Sequence, residues 1–385
     1  MKLTKITLST LLLSTGLLMS CFEETSPNQP SPAISSSTTN SSSSNSSSSS
    51  TMATNCTYDG EVAWVVGSDY NTGALKALNI TSQKECDFSL PVWQDASVFT
   101  DKNYLYVLES YGSNKWMKID TKTQKVIWYK AFKAKSNPTD IAFVDSNTAF
   151  VNYYGFSTIA KVNLQTGAVT DTISLKMFEN GGTTNPSSML IKDGKLIVAM
   201  QRQDANWAPD TAKLAIIDIA SLQVVDSIVL KAKNPYQLLA HNGKVLVVNN
   251  GTTNWTTYTS DNNGALEEVD LSAHTTSILV TEAELGGKPT HMEFISGDQF
   301  YTDIYKSYGD QPMAILNIKT KAITPIAGIS NAFGGFTYSP FSQKLVIGER
   351  VTTNSGLLLF GSDNKSIGKY FGSDLPPKST VIIQH

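Results

Sequence analysis

One supersecondary unit recurs seven times between about Ala77 and Phe360. In each copy an apolar residue is followed by Asp or Asn, then by a short polar turn and another apolar stretch. The pairs are Leu78-Asn79, Ile119-Asp120, Val162-Asn163, Ile217-Asp218, Val269-Asp270, Leu316-Asn317 and the degenerate Leu359-Phe360. Neighbouring pairs are 41 residues (Asn79 to Asp120) to 55 residues (Asn163 to Asp218) apart. This spacing is typical of the four-stranded blades of a β-propeller.

A second signature runs in phase with the first and consists of a turn followed by a strand of alternating pattern. It also occurs seven times, at Gly60-Glu61-Val62, Asn103-Tyr104-Leu105, Asn147-Thr148-Ala149, Gly194-Lys195-Leu196, Gly243-Lys244-Val245, Asp298-Gln299-Phe300 and Gln343-Lys344-Leu345. No long segment of helical period interrupts these units. The sequence therefore predicts an all-β fold, a seven-bladed β-propeller.

Prolines support the strand prediction. Pro138, Pro186, Pro235 and Pro289 each come just before an apolar strand, and we expect each to be the first residue of an inner strand. At that position the missing N–H removes no ladder hydrogen bond.

The two ends of the repeat region are complementary. The run Glu61 to Val66 has no inner strand before it, whereas Pro377 to Ile383 resembles Pro186 to Ile191 and has no partner strands after it. We expect both ends to share one blade, because such closure leaves no free sheet edge.

The N-terminal region has the pattern of an export signal. Residues 1–20 carry Lys2 and Lys5 and then an apolar stretch, which predicts a secretory signal peptide too short and polar for a stable membrane span. The following Cys21 completes a Leu-Met-Ser-Cys sequence that resembles a bacterial lipobox, so we expect its thiol to carry lipid. The alternative is an ordinary signal peptide with an incidental cysteine.

Residues 21–55 are dominated by Ser, Thr, Asn and Pro and predict a disordered tether between Cys21 and a folded domain at 56–385. Phe22, where Asp would favour inner-membrane retention, indicates the outer membrane. Glu23-Glu24 is similar to export signals of surface lipoproteins. The predicted location is the outer membrane, with a lipid anchor and the domain on the cell surface or the periplasmic face.

Charge argues against a nucleic-acid partner. The chain has 30 Lys and Arg against 33 Asp and Glu, a formal net charge of −3, and the basic residues are scattered. The basic stripe expected for phosphate-backbone binding is missing from the sequence.

Two cysteines remain besides Cys21. Cys56 precedes the first strand and Cys86 falls on the predicted outermost strand of the same blade. In an exported protein an even pair favours a disulfide, although two free thiols remain the alternative.

Long loops fall on one predicted face. Connections after the second strand of each blade are long and rich in aromatic residues. The turns of the other face are short, as at Asp193-Gly194. Exposed rings are enriched at recognition surfaces, so this face is the predicted binding surface. The candidate ligand-binding residues are Tyr111, Tyr153, Tyr154, Trp207, Trp255, Tyr258, Tyr305, Tyr308, Arg202 and Asp303. The alternative is that the rings pack against each other between loops.

A second candidate set lies two residues after each repeated proline. Asp140, Ser188, Gln237 and His291 are polar at equivalent positions and could ring the mouth of the central channel. Water and hydrogen bonds between blades are the alternative explanation.

Enzymatic signatures are scarce. The four histidines show no HxH or HExxH spacing, and the sequence contains no GxSxG elbow, P-loop or GxGxxG. We therefore assign no catalytic residue, no metal site and no cofactor.

Two stretches carry a family resemblance: Ala160 to Leu175, and Ala215 to Leu230 with the following Asn234 to Gln237 and Gly243 to Val248. They resemble blades of YncE-like seven-bladed propellers, and the likeness covers nearly all of residues 60–383. Related propellers include surface lipoproteins that capture cobalamin for an outer-membrane transporter.

The resemblance leaves three functions open. The leading one is a non-enzymatic lipoprotein that binds a small molecule or an envelope protein. It would act as a monomer or with an outer-membrane partner. A specific form of this function is the capture of cobalamin for an outer-membrane transporter. The second is an enzyme of lactonase or lyase type. The third is a structural or adhesive surface protein.

Overall fold

Nearly all regular structure is β. The computed structural model describes residues 56–204, 208–254, 259–350, 354–372 and 375–385. Within them lie thirty strands, a 3-10 turn at Lys176–Phe178 and one short helix, α1 (Glu282–Leu285). Twenty-eight strands form seven antiparallel sheets of four, and the other two form a small hairpin. The prediction of a seven-bladed β-propeller is confirmed.

The blades follow one another along the chain. Blade 1 contains β1 (Glu61–Ser68), β2 (Gly73–Asn79) and β3 (Lys84–Val92). Blade 2 contains β4 (Ala96–Thr100), β5 (Tyr104–Glu109), β6 (Lys115–Asp120) and β7 (Lys125–Ala131). Blade 3 contains β8 (Pro138–Phe143), β9 (Thr148–Tyr153), β10 (Thr158–Asn163) and β11 (Ala168–Ser174). Blade 4 contains β12 (Pro186–Lys192), β13 (Lys195–Met200), β14 (Lys213–Asp218) and β15 (Gln223–Val229).

Blade 5 contains β16 (Pro235–His241), β17 (Lys244–Asn249), β20 (Ala265–Asp270) and β21 (Thr275–Thr281), and the hairpin β18 (Thr253–Asn254) and β19 (Thr259–Ser260) lies between β17 and β20. Blade 6 contains β22 (Lys288–Ser296), β23 (Gln299–Tyr305), β24 (Met313–Asn317) and β25 (Ile323–Pro325). Blade 7 contains β26 (Phe336–Ser339), β27 (Lys344–Glu349), β28 (Gly356–Phe360) and β29 (Ser366–Tyr370). The last strand, β30 (Pro377–Gln384), returns to blade 1.

Ring closure follows the prediction. β30 pairs antiparallel with β1, from Glu61 opposite Gln384 to Gly67 opposite Pro377, so that blade 1 has the order β3-β2-β1-β30. First strands of neighbouring blades contact each other at six of the seven boundaries, and β5 contacts β8 at the remaining one. The ring therefore closes around a central channel bounded by the first strands.

The two faces of the ring differ in their connections. We call upper face the side that carries the connections from the second to the third strand of each blade and those between blades. The lower face carries the connections from the first to the second strand and from the third to the fourth. This alternation follows from the antiparallel order of every sheet.

The repeated Asp or Asn has a clear local role. It ends the third strand, and its side-chain oxygen accepts hydrogen bonds from backbone N–H groups of the following turn. In blade 2 Asp120 accepts from Lys122 at 2.9 Å, and in blade 6 Asn317 accepts from Thr320 at 2.9 Å. Four residues after the end of each third strand a residue has positive φ: Gln83, Gln124, Gly167, Leu222, His274, Lys321 and Asn364. The repeat therefore encodes one hairpin turn, seven times.

The prolines are placed nearly as expected. Pro138, Pro186 and Pro235 are first residues of their strands. For Pro289 the prediction was wrong by one residue, because Lys288 already pairs with Tyr305 and is the first residue of β22.

The hydrophobic core lies between adjacent sheets. Blades 1 and 2, for example, enclose Trp64, Leu75 and Leu105, all fully buried, and the Trp64 ring packs edge-on against Phe88 with ring centres 5.1 Å apart. Burial of one such side chain stabilises the fold by about 2 to 3 kcal/mol. Because each interface lies between two blades, no blade has a core of its own.

A disulfide joins Cys56 to Cys86, with Cα atoms 4.8 Å apart, and confirms the predicted pairing. Cys86 lies near the lower end of β3. Asn79 Nδ2 also donates to the backbone oxygens of Thr57 at 2.7 Å and Asp59 at 2.9 Å. The described chain thus enters the propeller at the lower face.

Candidate functional site

All seven long loops singled out in the sequence connect second to third strands, so they lie together on the upper face. Tyr111 and Tyr308 are exposed there, with 41% and 64% of their surface accessible. Trp93 supports the loop of Tyr111 by donating from its indole Nε1 to the Tyr111 backbone oxygen at 2.7 Å. These two rings stand where the sequence predicted them, on the surface.

Other predicted rings are placed differently. Tyr153 ends β9 and is buried, with its ring 5.5 Å from Phe132 between blades 2 and 3. Tyr154 is half-buried, and its hydroxyl lies 2.7 Å from Gln201 Oε1. Tyr305 is half-buried at the end of β23, where burial raises the pKa of its phenol. Tyr153 belongs to the core between blades, which matches the alternative of packing between neighbours.

Three predicted ligand-binding residues, Trp207, Trp255 and Tyr258, lie outside the described residues, as does the predicted lipid attachment site Cys21.

Arg202 is held by its own loop and by the connection that leads into blade 4. Its Nε donates to the Phe178 backbone oxygen at 2.8 Å, and its Nη1 donates to the Thr211 oxygen at 2.6 Å. Nη1 also lies 2.9 Å from Asp210 Oδ2. The guanidinium therefore joins the loop between β13 and β14 to the segment that precedes β12.

Asp303 stabilises a register shift in β22, the inner strand of blade 6. In β22 the residues after Pro289 do not pair regularly with β23. Asp303 Oδ1 accepts from the backbone N–H of His291 at 2.8 Å, and Oδ2 accepts from Thr290 Oγ1 at 2.6 Å. Burial raises the pKa of this carboxyl, although these hydrogen bonds and His291 oppose the rise. In blade 3 Asn152 caps the equivalent irregularity by accepting from the backbone of Asp140 at 2.6 Å.

Three of the four polar residues predicted at the channel mouth, Asp140, Ser188 and Gln237, form a belt of hydrogen bonds between blades. Each of the three binds the backbone of the next inner strand with its side chain, and Ser379 of β30 does the same. The bonds run from Met189 N to Asp140 Oδ2 (2.7 Å), from Leu238 N to Ser188 Oγ (3.2 Å), from Met292 N to Gln237 Oε1 (2.8 Å) and from Val98 N to Ser379 Oγ (3.1 Å). Hydrogen bonding between blades therefore occupies Asp140, Ser188 and Gln237.

His291 differs from the belt. Its ring packs edge-on against Phe336 of blade 7, with ring centres 4.9 Å apart, and its Nε2 lies 3.4 Å from Glu293 Oε1. Burial lowers the pKa of the imidazole, but the Glu293 and Asp303 carboxylates outweigh it, and the net pKa is raised.

A cluster at the upper end of the channel was only partly predicted. We call it the mouth cluster, and it consists of Tyr70, Asp95, Tyr236, Asp303, Tyr308 and Arg350. Tyr236 keeps 39% of its surface accessible, yet desolvation by its neighbours, with added effects of Asp303, Asp95 and Tyr70, raises its pKa to about 12. The Arg350 guanidinium carbon lies 4.8 Å from the centre of the Tyr70 ring, and Tyr308 interacts electrostatically with both. The mouth cluster thus draws on blades 1, 5, 6 and 7.

Hydrogen bonds and an ion pair hold the side chains of the mouth cluster in place. Arg350 Nη1 donates to the backbone oxygens of Pro376 and Pro377, both at 2.7 Å, and Nη2 donates to Ser68 at 3.0 Å. Asp95 lies 2.9 Å from Lys378 Nζ. Tyr236 follows the first residue of β16, and its position directly after the repeated proline is the signal that could have found it.

Two cavities lie elsewhere. One of about 260 Å³ lies between blades 7 and 1 and is lined by residues such as Glu85, Lys369 and Phe371. Another of about 180 Å³ lies on the lower face between blades 5 and 6. Among the residues that the structure describes, no group of three or more His, Cys, Asp or Glu is arranged to hold a metal ion. No helix of the described part of the chain is long and apolar enough to span a bilayer.

Comparison with known proteins gives the fold. No family model matches this chain, and neither does any curated protein. A functionally unknown protein from Desulfotomaculum acetoxidans is 12% identical, with a TM-score of 0.57 over 85% of this chain and 99% of that one. Apo AztD from Citrobacter koseri is 9% identical, with a TM-score of 0.54 over 84% of this chain and 98% of its own.

A protein of unknown function from Bacteroides caccae is 13% identical, with a TM-score of 0.50 over 74% of this chain and 100% of that chain. At these identities the likeness supports the propeller fold alone.

Proposed function

We propose that this protein is a non-enzymatic, lipid-anchored propeller of the YncE-like type that binds a small molecule at the mouth cluster. The observation that carries this proposal is the convergence of three tyrosines, two carboxylates and one guanidinium from four blades on one end of the channel. Binding sites of this kind combine aromatic surface with a few fixed polar groups.

The chemistry of the phenols supports binding. Desolvation raises the pKa of Tyr70 and that of Tyr236, the latter to about 12, so both hydroxyls remain protonated at neutral pH. A neutral phenol can donate and accept a hydrogen bond and also offers a ring for stacking. The mouth cluster therefore suits a ligand with an aromatic or flat part and several polar atoms.

The route of the chain supports an anchor that leaves this site free. The described chain enters at the lower face, where the disulfide of Cys56 and the Asn79 side chain hold it. Cys56, the first described residue, therefore lies on the face opposite the mouth cluster.

Calorimetric titration with cobalamin, haem, siderophores and glycans tests the binding proposal. For any ligand found, Tyr236→Ala and Tyr308→Ala are expected to weaken binding by about 5-fold to 30-fold, the effect of truncating a contact worth 1 to 2 kcal/mol. Phe341→Ala is the matched control, since Phe341 is an aromatic residue on the lower face with 72% of its surface exposed. An equal loss in Phe341→Ala, or none in either tyrosine variant, would contradict the proposed site.

Lipid attachment is tested separately by growing expressing cells with radiolabelled palmitate. The unaltered protein is expected to carry the label and to sediment with outer membranes, whereas Cys21→Ala should lose both. A protein with Cys56→Ala and Cys86→Ala lacks the other two cysteines and should keep the label. Label that persists in Cys21→Ala would contradict the anchor.

A further inference from the structure

Two phenol rings of the mouth cluster are open to a ligand. Tyr236 keeps 39% of its surface accessible, and Tyr308 keeps 64%. Tyr236 is the extra residue of a β-bulge, since Pro235 and Gln237 pair with consecutive residues of β17. A β-bulge changes the direction of the side chain that it carries. The ring at the start of this inner strand is therefore available at the upper end of the channel.

A buried carboxylate lies close to Tyr236. The next residue, Gln237, exchanges two hydrogen bonds with the backbone of Met292 in blade 6, at 2.8 Å and 3.0 Å. Met292 follows His291, whose backbone N–H donates to Asp303. This path fixes Tyr236 and Asp303 on neighbouring blades at the same end of the channel. Asp303 is 2% exposed, and among the charged neighbours it has the largest effect on the pKa of Tyr236.

The Asp303 carboxylate is held by neutral donors. Besides Thr290 and the His291 backbone, Gln311 donates to it from Nε2 at 2.5 Å. Within the described part of the chain, no Lys or Arg forms an ion pair with Asp303. The His291 imidazole lowers the pKa of Asp303, but this ring also lies 3.4 Å from the carboxylate of Glu293. Hydrogen bonds rather than a dedicated counter-ion therefore stabilise the charge of Asp303.

The Gln311 side chain adds to the negative potential around Asp303. Only its Nε2 can donate to the carboxylate, so its Oε1 points away from Asp303. Among the residues that the structure describes, this buried oxygen has no hydrogen-bond partner. A buried acceptor without a donor is unusual, and its partial negative charge stays uncompensated.

Two cations of the upper face are already engaged. Arg350 donates to three backbone oxygens and lies over the Tyr70 ring, which leaves its guanidinium few donors for an anionic ligand. This contact also shows that a phenol ring of the mouth cluster accepts a cation on its face. Lys378 Nζ pairs with Asp95 at 2.9 Å and donates to the Ala96 backbone oxygen at 3.1 Å.

The remaining charges near the rings balance each other. The carboxylate of Asp69 stabilises the Arg350 cation, and the loop between β23 and β24 carries Lys306 and Asp310, both exposed. Each of these cations thus has a carboxylate to match it. The charge left over is that of Asp303, and it is negative.

We propose that the ligand of the mouth cluster is an organic cation, an ammonium group attached to a flat or aromatic group. The ammonium lies over the face of the Tyr236 ring, with the Asp303 carboxylate beneath, and the flat group packs against Tyr308. A phenol ring attracts a cation through its quadrupole, and a buried carboxylate strengthens that attraction. This inference rests on the function proposed above, because it names a chemical class for the same site.

Ligand-observed NMR with 2-phenylethylamine as the probe tests the chemical class. The neutral 2-phenylethanol and the anionic 3-phenylpropionate have a similar aromatic group and differ in charge. The amine is expected to bind at least about 10-fold more tightly than either, with an affinity on the order of 1 mM for so small a ligand. Equal or tighter binding of the alcohol or the carboxylate, or no binding of the amine, would overturn the organic cation as the ligand.

A variant of Asp303 locates the charge that selects the amine. In Asp303→Asn the asparagine keeps an acceptor for the His291 backbone, and its amide can donate to Gln311 Oε1 once the Gln311 amide turns over. Amine binding is expected to weaken about 10-fold, and binding of the alcohol should not change. The matched control is Asp193→Asn, which makes the same change in net charge on the lower face, where 82% of the Asp193 side chain is exposed. No loss in Asp303→Asn, or an equal loss in Asp193→Asn, would refute the role of Asp303.

Failure of the chemical class and failure of the site give different results. If the alcohol binds as tightly as the amine and Tyr236→Ala weakens both, the mouth cluster binds a small molecule but does not select a cation. If the amine binds and neither Tyr236→Ala nor Asp303→Asn weakens it, the mouth cluster is not its site, and both proposals fail. If Asp303→Asn does not fold, the comparison of the three compounds on the unaltered protein still decides the class.

Discussion

The carboxyl group of Asp140 connects two blades, and its hydrogen bonds and its burial shift its pKa in opposite directions. It accepts hydrogen bonds from the backbone N–H groups of Met189 at 2.7 Å and Ile141 at 2.9 Å. Burial nevertheless raises its pKa to about 6, although these bonds lower it. Because this pKa lies above the value of about 4 expected in the unfolded chain, the stabilisation from protonated Asp140 is full below about pH 4 and lost as pH rises through about 6.

Asp140→Asn should remove this dependence. Asparagine keeps one acceptor for Met189 and carries no charge. The free energy of unfolding of the variant, relative to that of the unaltered protein, should therefore be about 2 to 3 kcal/mol higher above pH 7 than at pH 4. Urea unfolding at several pH values from 4 to 8 measures this difference.

Ser379→Ala is the control, because it removes a belt hydrogen bond that does not titrate. Its loss of about 1 kcal/mol should be the same at every pH. A difference between Asp140→Asn and the unaltered protein that does not change with pH would show that burial does not affect this carboxyl as described.

At the scale of single elements, the hairpin between third and fourth strands is the most regular feature of the fold. The left-handed residue four positions after the end of the third strand is a glycine in blade 3, Gly167 with φ of 71°, but a leucine in blade 4, Leu222 with φ of 59°. A left-handed conformation is unfavourable for residues with a Cβ, by about 1 to 2 kcal/mol.

Leu222→Gly is therefore expected to stabilise the protein by up to about 1 kcal/mol, since relief of backbone strain exceeds the added entropy of the unfolded chain. Gly167→Ala should have the opposite effect and a larger one. Its Cβ would meet the Trp128 ring at 2.8 Å in addition to the strained backbone. Urea unfolding of both variants gives the values, and a stabilised Gly167→Ala would refute this reasoning.

The elements could be predicted because their signals are local. Strand period, the Asp or Asn of each turn and the prolines all act within a few residues. The direction of a long side chain is not local. Tyr153 follows the strand period into the core, where Phe132 of the neighbouring blade packs against its ring. Arg202 binds Phe178, Thr211 and Asp210, and no short sequence pattern encodes that direction of its side chain. Tyr236, in contrast, follows the repeated proline, a local signal that the prediction did not use.

At the scale of the whole molecule, β30 is the element on which the ring depends. It pairs with β1 along its length, Ile383 is buried in the interface between blades 1 and 2, and Ser379 binds the backbone of β4. Without this strand, β1 would present an unpaired edge and two blade interfaces would open.

Deletion of residues 377–385 should therefore lower stability by at least about 5 kcal/mol, a large fraction of the total for a typical domain. Thermal unfolding followed by circular dichroism should show loss or broadening of the transition. Deletion of His385 alone, which removes one hydrogen bond to the Gly60 oxygen at 2.7 Å, is the control and should change the midpoint little. Equal midpoints for the two deletions would mean that ring closure does not stabilise the domain.

The shared blade also has a consequence for biosynthesis. β30 emerges from the ribosome after every other strand of the propeller, so β1 cannot find its inner neighbour while the chain is still being made. Throughout translation the nascent propeller carries an open edge that can pair with other chains. The ring can close only after β30 has been synthesised, and a product truncated before Pro377 is expected to remain a target for chaperones and proteases.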